Sequence, residues 1–308
     1  MTLRFPTCAP GRVLVLVGAT FLLAGCSLKT MAVKTVANTL SDSGDVFSRD
    51  EDPELVREAV PFALKLYESL LDSVPNHAPL LLATCQSFTQ YSFAFVETEA
   101  DVVGEAKHDE AKALRARAVK LYVRGRDYCL RALEVRSKGI RERLLADPEP
   151  ALAKMTKEDV PLLYWTAASW GAAISLGLDQ PDLAIDLPVV RALAERALAL
   201  DETWSKGALH ELMISIDSLP EVLGGSPTKA RQHFARAVEL QHDQSPGPYV
   251  ALATGVAVPA QAKQEFETLL AKAIAMDPGV DPSNRLAALI SQRRARALLD
   301  QIDTRFAN

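Results

Sequence analysis

The sequence predicts an all-α protein, on three observations. Alanine and leucine, two of the best helix formers, dominate a chain that is 48% hydrophobic and 24% charged. Glycine is sparse inside the segments with helical periodicity. No run alternates apolar and polar residues over the length of a strand, as a half-buried strand would. The length and the apolar fraction suit one large domain or two small ones with an ample core.

The stretch 187–240 contains the same helical unit twice. In the first unit, apolar residues recur on one helical face, a turn follows at Asp201, and a second periodic stretch begins. The second unit opens at Ser226 and Pro227, where serine suits a helix N-cap and proline suits the first helical position. We therefore predict helix pairs. The apolar face of the first helix carries Val190, Leu193, Ala194, Ala197 and Leu198.

Similar helix ends recur elsewhere along the chain. Leu200, Leu240 and Met276 occupy equivalent points, so the spacing is close to the period of about 34 to 40 residues seen in tetratricopeptide-like helix pairs. An irregular helical bundle is the alternative. One pair cannot bury both of its faces, so such pairs stack into a solenoid or bundle with a concave face that usually binds a ligand. This favours a binding function over catalysis.

The first 25 residues have the features of an export signal. Arg4 and Arg12 supply positive charge, and residues 13–23 form an apolar run too short to span a membrane. The run ends in Leu-Ala-Gly-Cys, which resembles the bacterial lipobox, in which the cysteine takes the lipid. We therefore expect cleavage before Cys26 and lipid on its sulfur. An ordinary secretory signal with an incidental cysteine is the alternative.

The residues after the cysteine predict the location and the domain limits. Ser27 stands where many inner-membrane lipoproteins carry aspartate, so the sorting rule favours the outer membrane, facing the periplasm. Residues 26–52 are predicted to be a lipidated N-terminus and tether, and residues 53–308 the helical domain. The last helix carries Arg293, Arg294 and Arg296, which we expect to lie largely outward at the polar end of the stack.

Aromatic residues are only 6% of the chain, so their clusters are candidates for a binding site. One cluster falls on a predicted helix over 79–99, and two tryptophans lie on a later helix that is rich in small residues. Burial in the core and lining of a pocket or lumen are both open for these side chains, and burial is the commoner outcome. The candidate pore-lining residues are Phe88, Tyr91, Phe95, Trp165, Trp170 and Trp204.

The chain lacks the sequence patterns of several common active sites. His210 and Glu211 are not followed by a second histidine one turn later, so the zinc-protease pattern fails. No Gly-x-Ser-x-Gly elbow occurs, and the glycines at 224 and 225 lack the spacing of a phosphate loop. We expect no catalytic residue, no metal and no cofactor. The net charge of −5, without a basic stripe, makes nucleic acid an unsuitable partner.

Two of the cysteines have no role in export or lipidation. Cys8 would leave with the signal and Cys26 would carry lipid, which leaves Cys85 and Cys129 on predicted helices. The periplasm permits a disulfide. Both residues have apolar neighbours, however, and a buried free cysteine behaves as a small hydrophobe. The sequence alone therefore favours two thiols.

Seven motifs, in this order, resemble the TatT family, the T-component lipoproteins of tripartite ATP-independent periplasmic (TRAP) transporters. The resemblance covers nearly the whole mature chain, and the segment 218–237 is its most specific part. The motifs are the lipobox at Cys26, PFALKLYESLL, QSFTQYSFAFVE, YWTAASWGAAISL, RALALDETW, GALHELMISIDSLPEVLGGSPTKARQHFARAVEL and FETLLAKAIAMDP.

The resemblance implies a tetratricopeptide-like helical protein that forms a homotrimer. Each subunit would have a central pore and a concave face on which the periplasmic substrate-binding protein docks. The leading hypothesis is a lipid-anchored helper that passes a hydrophobic small solute to or from that protein. A lipoprotein scaffold for assembly of outer-membrane or pilus proteins is the alternative, and an enzyme is the third hypothesis.

Overall fold

A computed structural model of the protein describes residues 33–39, 44–178 and 180–306. These residues form helices joined by short turns, and no strand occurs among them. The predicted all-α class is confirmed. The predicted signal segment and Cys26 lie outside the described residues.

In chain order, the described residues form sixteen α-helices, with several short 3-10 segments between them. They are α1 (33–39), α2 (Gly44–Ser48), α3 (Pro53–Ser73), α4 (Ala78–Tyr91), α5 (Thr98–Val103), α6 (His108–Arg136), α7 (Ile140–Ala146), α8 (Pro148–Leu152), α9 (Val160–Leu176), α10 (Pro181–Ala184), α11 (Leu187–Leu200), α12 (Ala208–Asp217), α13 (Pro227–Leu240), α14 (Gly247–Leu252), α15 (Lys263–Ala275) and α16 (Arg285–Asp300).

Local sequence explains where the main helices begin. The Asp52 carboxylate accepts hydrogen bonds from the backbone N–H groups of Glu54 and Leu55 at 3.0 and 3.1 Å, which caps α3. Ser226 caps α13 in the same way, and a proline occupies the first turn of both helices. The helix start predicted at Ser226 and Pro227 is confirmed.

The helices close into a ring. Successive neighbours pack against one another in the order α3, α4, α6, α9, α11, α12, α14 and α16, and α16 then packs against α3 and α5. Ile290 of α16 is buried in the same apolar cluster as Val60 of α3 and Tyr122 of α6. The first and last parts of the helical domain therefore share a core.

Ion pairs reinforce the contact that closes the ring. Arg293 lies 2.7 Å from Glu99, and Arg294 lies 2.8 Å from Asp101 and 3.5 Å from Glu97. We call these three contacts the ring-closing ion pairs. Arg294 is only 16% exposed, so the expectation that it points outward is wrong. Arg296 is exposed, as expected.

A disulfide joins α4 to α6. Cys85 and Cys129 are bonded, with Cα atoms 5.4 Å apart, so the expectation of two thiols is wrong. Gly125, one turn before Cys129, lets the helices approach, because a Cβ there would lie 3.2 Å from the Cys85 carbonyl oxygen. The sequence does not reveal which faces of the two helices meet.

Candidate functional site

The ring of helices surrounds a partly open cavity of about 380 Å³. Side chains from α6, α9, α12, α14 and α16 line it, together with the segment between α4 and α5. We call this space the central cavity. Its volume lies within the range of about 300 to 1,000 Å³ typical of small-molecule pockets.

Two π-helical segments border the central cavity. Ser92–Glu97 connects α4 to α5, and Ala253–Ala257 follows α14. The first contributes Phe93 and Glu97 to the lining, and the second contributes Thr254 and Gly255. A π-helical turn shifts the helical register by one residue and is frequent at functional sites. In this protein both segments turn polar groups toward the same space.

One polar group of the central cavity is centred on Glu97. The Tyr122 hydroxyl donates to Glu97 at 2.5 Å, and Arg294 lies between Glu97 and Asp101. Burial raises the pKa of Glu97, although Arg294 and the Tyr122 hydroxyl oppose that shift. Burial, together with the Glu97 charge, holds the pKa of Tyr122 well above its usual value. Tyr122 is therefore a neutral hydrogen-bond donor.

A second polar group lies at α12 and at the π-helical segment that follows α14. Glu211 of α12 lines the central cavity, with Ser215 one turn later and Ser218 directly after the end of the helix. Burial raises the pKa of Glu211 to about 7, and a hydrogen bond with Gln241 offsets part of that shift. Among the described residues, Glu211 has no basic side chain within 4.0 Å. It is therefore a partly buried carboxyl group without a counter-ion.

The predicted aromatic residues on α4 and its extension lie outside the central cavity. Phe88 is 2% exposed and stacks on Tyr128, with ring centroids 5.9 Å apart. Tyr91 and Phe95 contact each other at 5.7 Å between centroids and line a smaller cavity of about 170 Å³ between α3, α4 and α16. The structure brings these three together in one apolar cluster.

The three tryptophans also lie elsewhere. Trp170 is 2% exposed in the largest core cluster, with Arg126 5.2 Å from its ring centroid. Trp165 and Trp204 both contact Tyr164, at centroid distances of 4.9 and 4.7 Å. None of the six predicted pore-lining residues lines the central cavity in the described part of the chain.

Sequence reasoning missed the polar lining, although one signal pointed to the correct helix. The run of small residues on α9 places Ala168, Gly171, Ala172 and Ser175 at the central cavity. The sequence shows that run, but the scarcity of aromatic residues favours the neighbouring tryptophans as candidates. Small side chains leave room for a ligand, whereas the large ring of Trp170 fills the core on another face.

The described residues contain no group of three or more histidine, cysteine, aspartate or glutamate side chains that could hold a metal ion. His210 and His233 share a hydrogen bond, with their Nδ1 atoms 2.8 Å apart, but neither lines the central cavity. None of the described helices is both long and apolar enough to cross a membrane.

The described residues form an all-helical protein whose helices close into a ring beside an amphipathic cavity. The chain belongs to the T-component family of TRAP transporters, since the sequence model of that family matches residues 49–306. It is also 30% identical to an uncharacterised protein of Treponema pallidum (strain Nichols) over 296 residues, which cover 90% of this chain and 92% of the relative. The resemblance in the sequence motifs is confirmed, and the protein is a transporter component.

Proposed function

We propose that this T component is a non-catalytic helper that docks a periplasmic substrate-binding protein and passes a small, largely hydrophobic solute through the central cavity. One observation carries the proposal: a chain of this transporter family closes its helices around a space of about 380 Å³. The apolar part of the lining, which includes Phe93, Leu176, Leu212 and Leu219, supports a solute with an apolar portion.

The proposal includes a lipid anchor at Cys26 and attachment to the outer membrane, facing the periplasm. The lipobox at the end of an export signal supports the anchor. The disulfide between Cys85 and Cys129 supports an oxidising compartment, because disulfides persist in the periplasm and are rare in the cytosol.

The proposal also includes stacked tetratricopeptide-like pairs and a homotrimer. The successive helices α11 to α16 support the first, since neighbours along the chain pack together in this stretch. The trimer rests on the family resemblance. Exposed apolar side chains at Phe62, Ile185 and Val222 offer surface that such contacts, or the docked partner, would cover.

Cross-linking in the envelope tests the docking. The full-length protein, purified from membranes after cross-linking, should carry a periplasmic substrate-binding protein that mass spectrometry identifies. Mass spectrometry of the purified protein should find an acylated Cys26 at the mature N-terminus, and the Cys26→Ala variant should carry no acyl chain.

Two results would contradict the proposal. Recovery of outer-membrane or pilus assembly proteins in place of a binding protein would favour the scaffold alternative. An unmodified Cys26, or a mature N-terminus at another residue, would rule out the lipid anchor.

A further inference from the structure

We infer that the part of the central cavity around Glu211 binds an organic ammonium ion, so that the solute is an amphipathic amine with one charged end and one apolar end. This inference rests on the proposed function, in which the central cavity holds the solute. It names the chemical class that the cavity selects.

The first argument is the missing counter-ion. The acidic groups near α16 are neutralised within the protein, since Arg294 faces both Glu97 and Asp101. Glu211 has no such partner among the described residues, although protein surrounds it on several sides. A buried charge without a partner is unfavourable, and a cation in the cavity would supply that partner.

The second argument is the direction of the hydroxyl groups. The Ser218 hydroxyl donates to the Ile214 carbonyl at 2.7 Å, and the Thr254 hydroxyl donates to the Val250 carbonyl at 2.9 Å. Because both protons are used inside their own helices, both oxygens are left as acceptors. An ammonium group has three donors and no acceptor. The polar groups on this side of the cavity therefore suit an ammonium and not a carboxylate.

The third argument is the close approach of α14 to α12. A Cβ at Gly247 would lie 2.2 Å from Oε1 of Glu211, and one at Gly255 would lie 2.4 Å from Oγ of Ser218. Any side chain at these positions would displace the acceptor oxygens. Because glycine has no side chain, it leaves room for the carboxylate and the hydroxyl at the cavity surface.

The fourth argument is the apolar remainder of the lining. Leu212, Leu219 and Val250 lie beside the acceptor groups, and the small residues of α9 complete the lining. A purely hydrophobic guest would leave Glu211 without a partner, and a small inorganic cation would leave the apolar surface hydrated. An amine with an apolar body satisfies both parts of the cavity.

Ionisation of Glu211 couples binding to pH. The groups that face it are Tyr164 from α9, Gln241 at the end of α13 and the backbone at Gly247, and the other charged groups of the cavity are Glu97 and Arg294. An ammonium favours the carboxylate form, so binding releases a proton when Glu211 is protonated. Affinity should therefore rise about tenfold between pH 6 and pH 8.

Titration calorimetry with three probes of similar shape tests the inference. The full-length protein in detergent would be titrated with phenethylammonium, 2-phenylethanol and phenylacetate. We expect saturable binding of the cation and at least about tenfold weaker binding of the other two. Glu211→Gln should weaken cation binding about tenfold or more and abolish its pH dependence, because the charge is lost while the shape is kept. Glu221→Gln, an exposed acid that does not line the cavity, is the matched control.

The outcomes separate this inference from the proposed function. Equal binding of all three probes, tighter binding of the anion, no binding of any probe, or an unchanged affinity in a folded Glu211→Gln variant would each overturn it. If the substrate-binding protein still cross-links in those cases, the docking proposal stands. If the cation binds and no periplasmic partner is captured, the docking proposal fails and the cation site remains.

Discussion

The paired imidazoles of His210 and His233 should make the stability of the fold depend on pH. Their Nδ1 atoms lie 2.8 Å apart, so one ring donates and the other accepts, and the accepting ring must be neutral. Glu202 lies 3.3 Å from Nε2 of His210, and Asp217 lies 3.7 Å from Nε2 of His233. Burial nevertheless lowers the pKa of both histidines. The sequence showed two separate histidines on predicted helices and gave no sign that they meet.

Acidification should therefore destabilise the protein through this pair. A histidine whose pKa is lower in the folded state binds its proton more readily when unfolded, so the free energy of unfolding falls as the pH drops below about 6.5. His233→Gln should remove part of that dependence. Denaturant unfolding between pH 7.5 and pH 5.5 gives the slope of the free energy of unfolding against pH for the wild type and for His233→Gln. The control is His242→Gln, at an exposed turn. Equal slopes in the wild type and in His233→Gln would contradict this account.

At the scale of the element, sequence reasoning succeeded where the signal is local. The starts of α3 and α13 were predictable, because the capping side chain and the proline are adjacent in the chain. The π-helical segments Ser92–Glu97 and Ala253–Ala257 were not predictable, since a shift of one residue in register leaves the apolar pattern almost unchanged. These segments position part of the candidate site, so the site was harder to predict than the helices that carry it.

The disulfide between α4 and α6 should raise the melting temperature of the protein. The Cys85→Ser/Cys129→Ser double variant should unfold about 5 to 15 °C below the wild type, because opening a link between residues 44 apart costs about 2 to 5 kcal/mol. Thermal unfolding followed by circular dichroism measures the difference. Reduced and alkylated wild type should resemble the variant, and alkylation without reduction should change nothing. A variant with the same melting temperature as the oxidised wild type would show that the disulfide adds no stability.

For the whole molecule, closure of the ring is the feature that the sequence could not reveal. Periodicity indicates which face of α16 is apolar, but it does not indicate that this face meets α3 and α5, some 200 residues earlier. The arginines of α16, which the sequence predicts to point outward, illustrate this limit. The repeat pattern predicts that Arg294 faces water at the end of a stack, but Arg294 lies inside because the ring has no open end at that point.

The ring-closing ion pairs should contribute unequally to stability. Arg294→Met leaves Glu97 and Asp101 buried without that partner and should lower the free energy of unfolding by about 3 kcal/mol. Arg293→Met is the matched control and should cost less than about 1 kcal/mol, because Arg293 is 33% exposed and Glu99 keeps Arg57 at 2.6 Å. Denaturant unfolding, with hydrogen exchange in α5 and α16, measures both. Equal effects of the two variants would contradict the unequal roles.

Contact between α16 and α5 also constrains how such a protein can change length over evolution. An open solenoid gains or loses whole hairpins at modest cost, because each unit touches only its neighbours. In a ring, insertion of a hairpin would separate Arg294 from Asp101 and widen the central cavity. Deletion of a hairpin would leave too few helices to close the ring. We therefore expect T components to keep a constant number of hairpins and to vary their loops. The alignment with the Treponema protein, which extends over 92% of that relative, agrees with a fixed circumference.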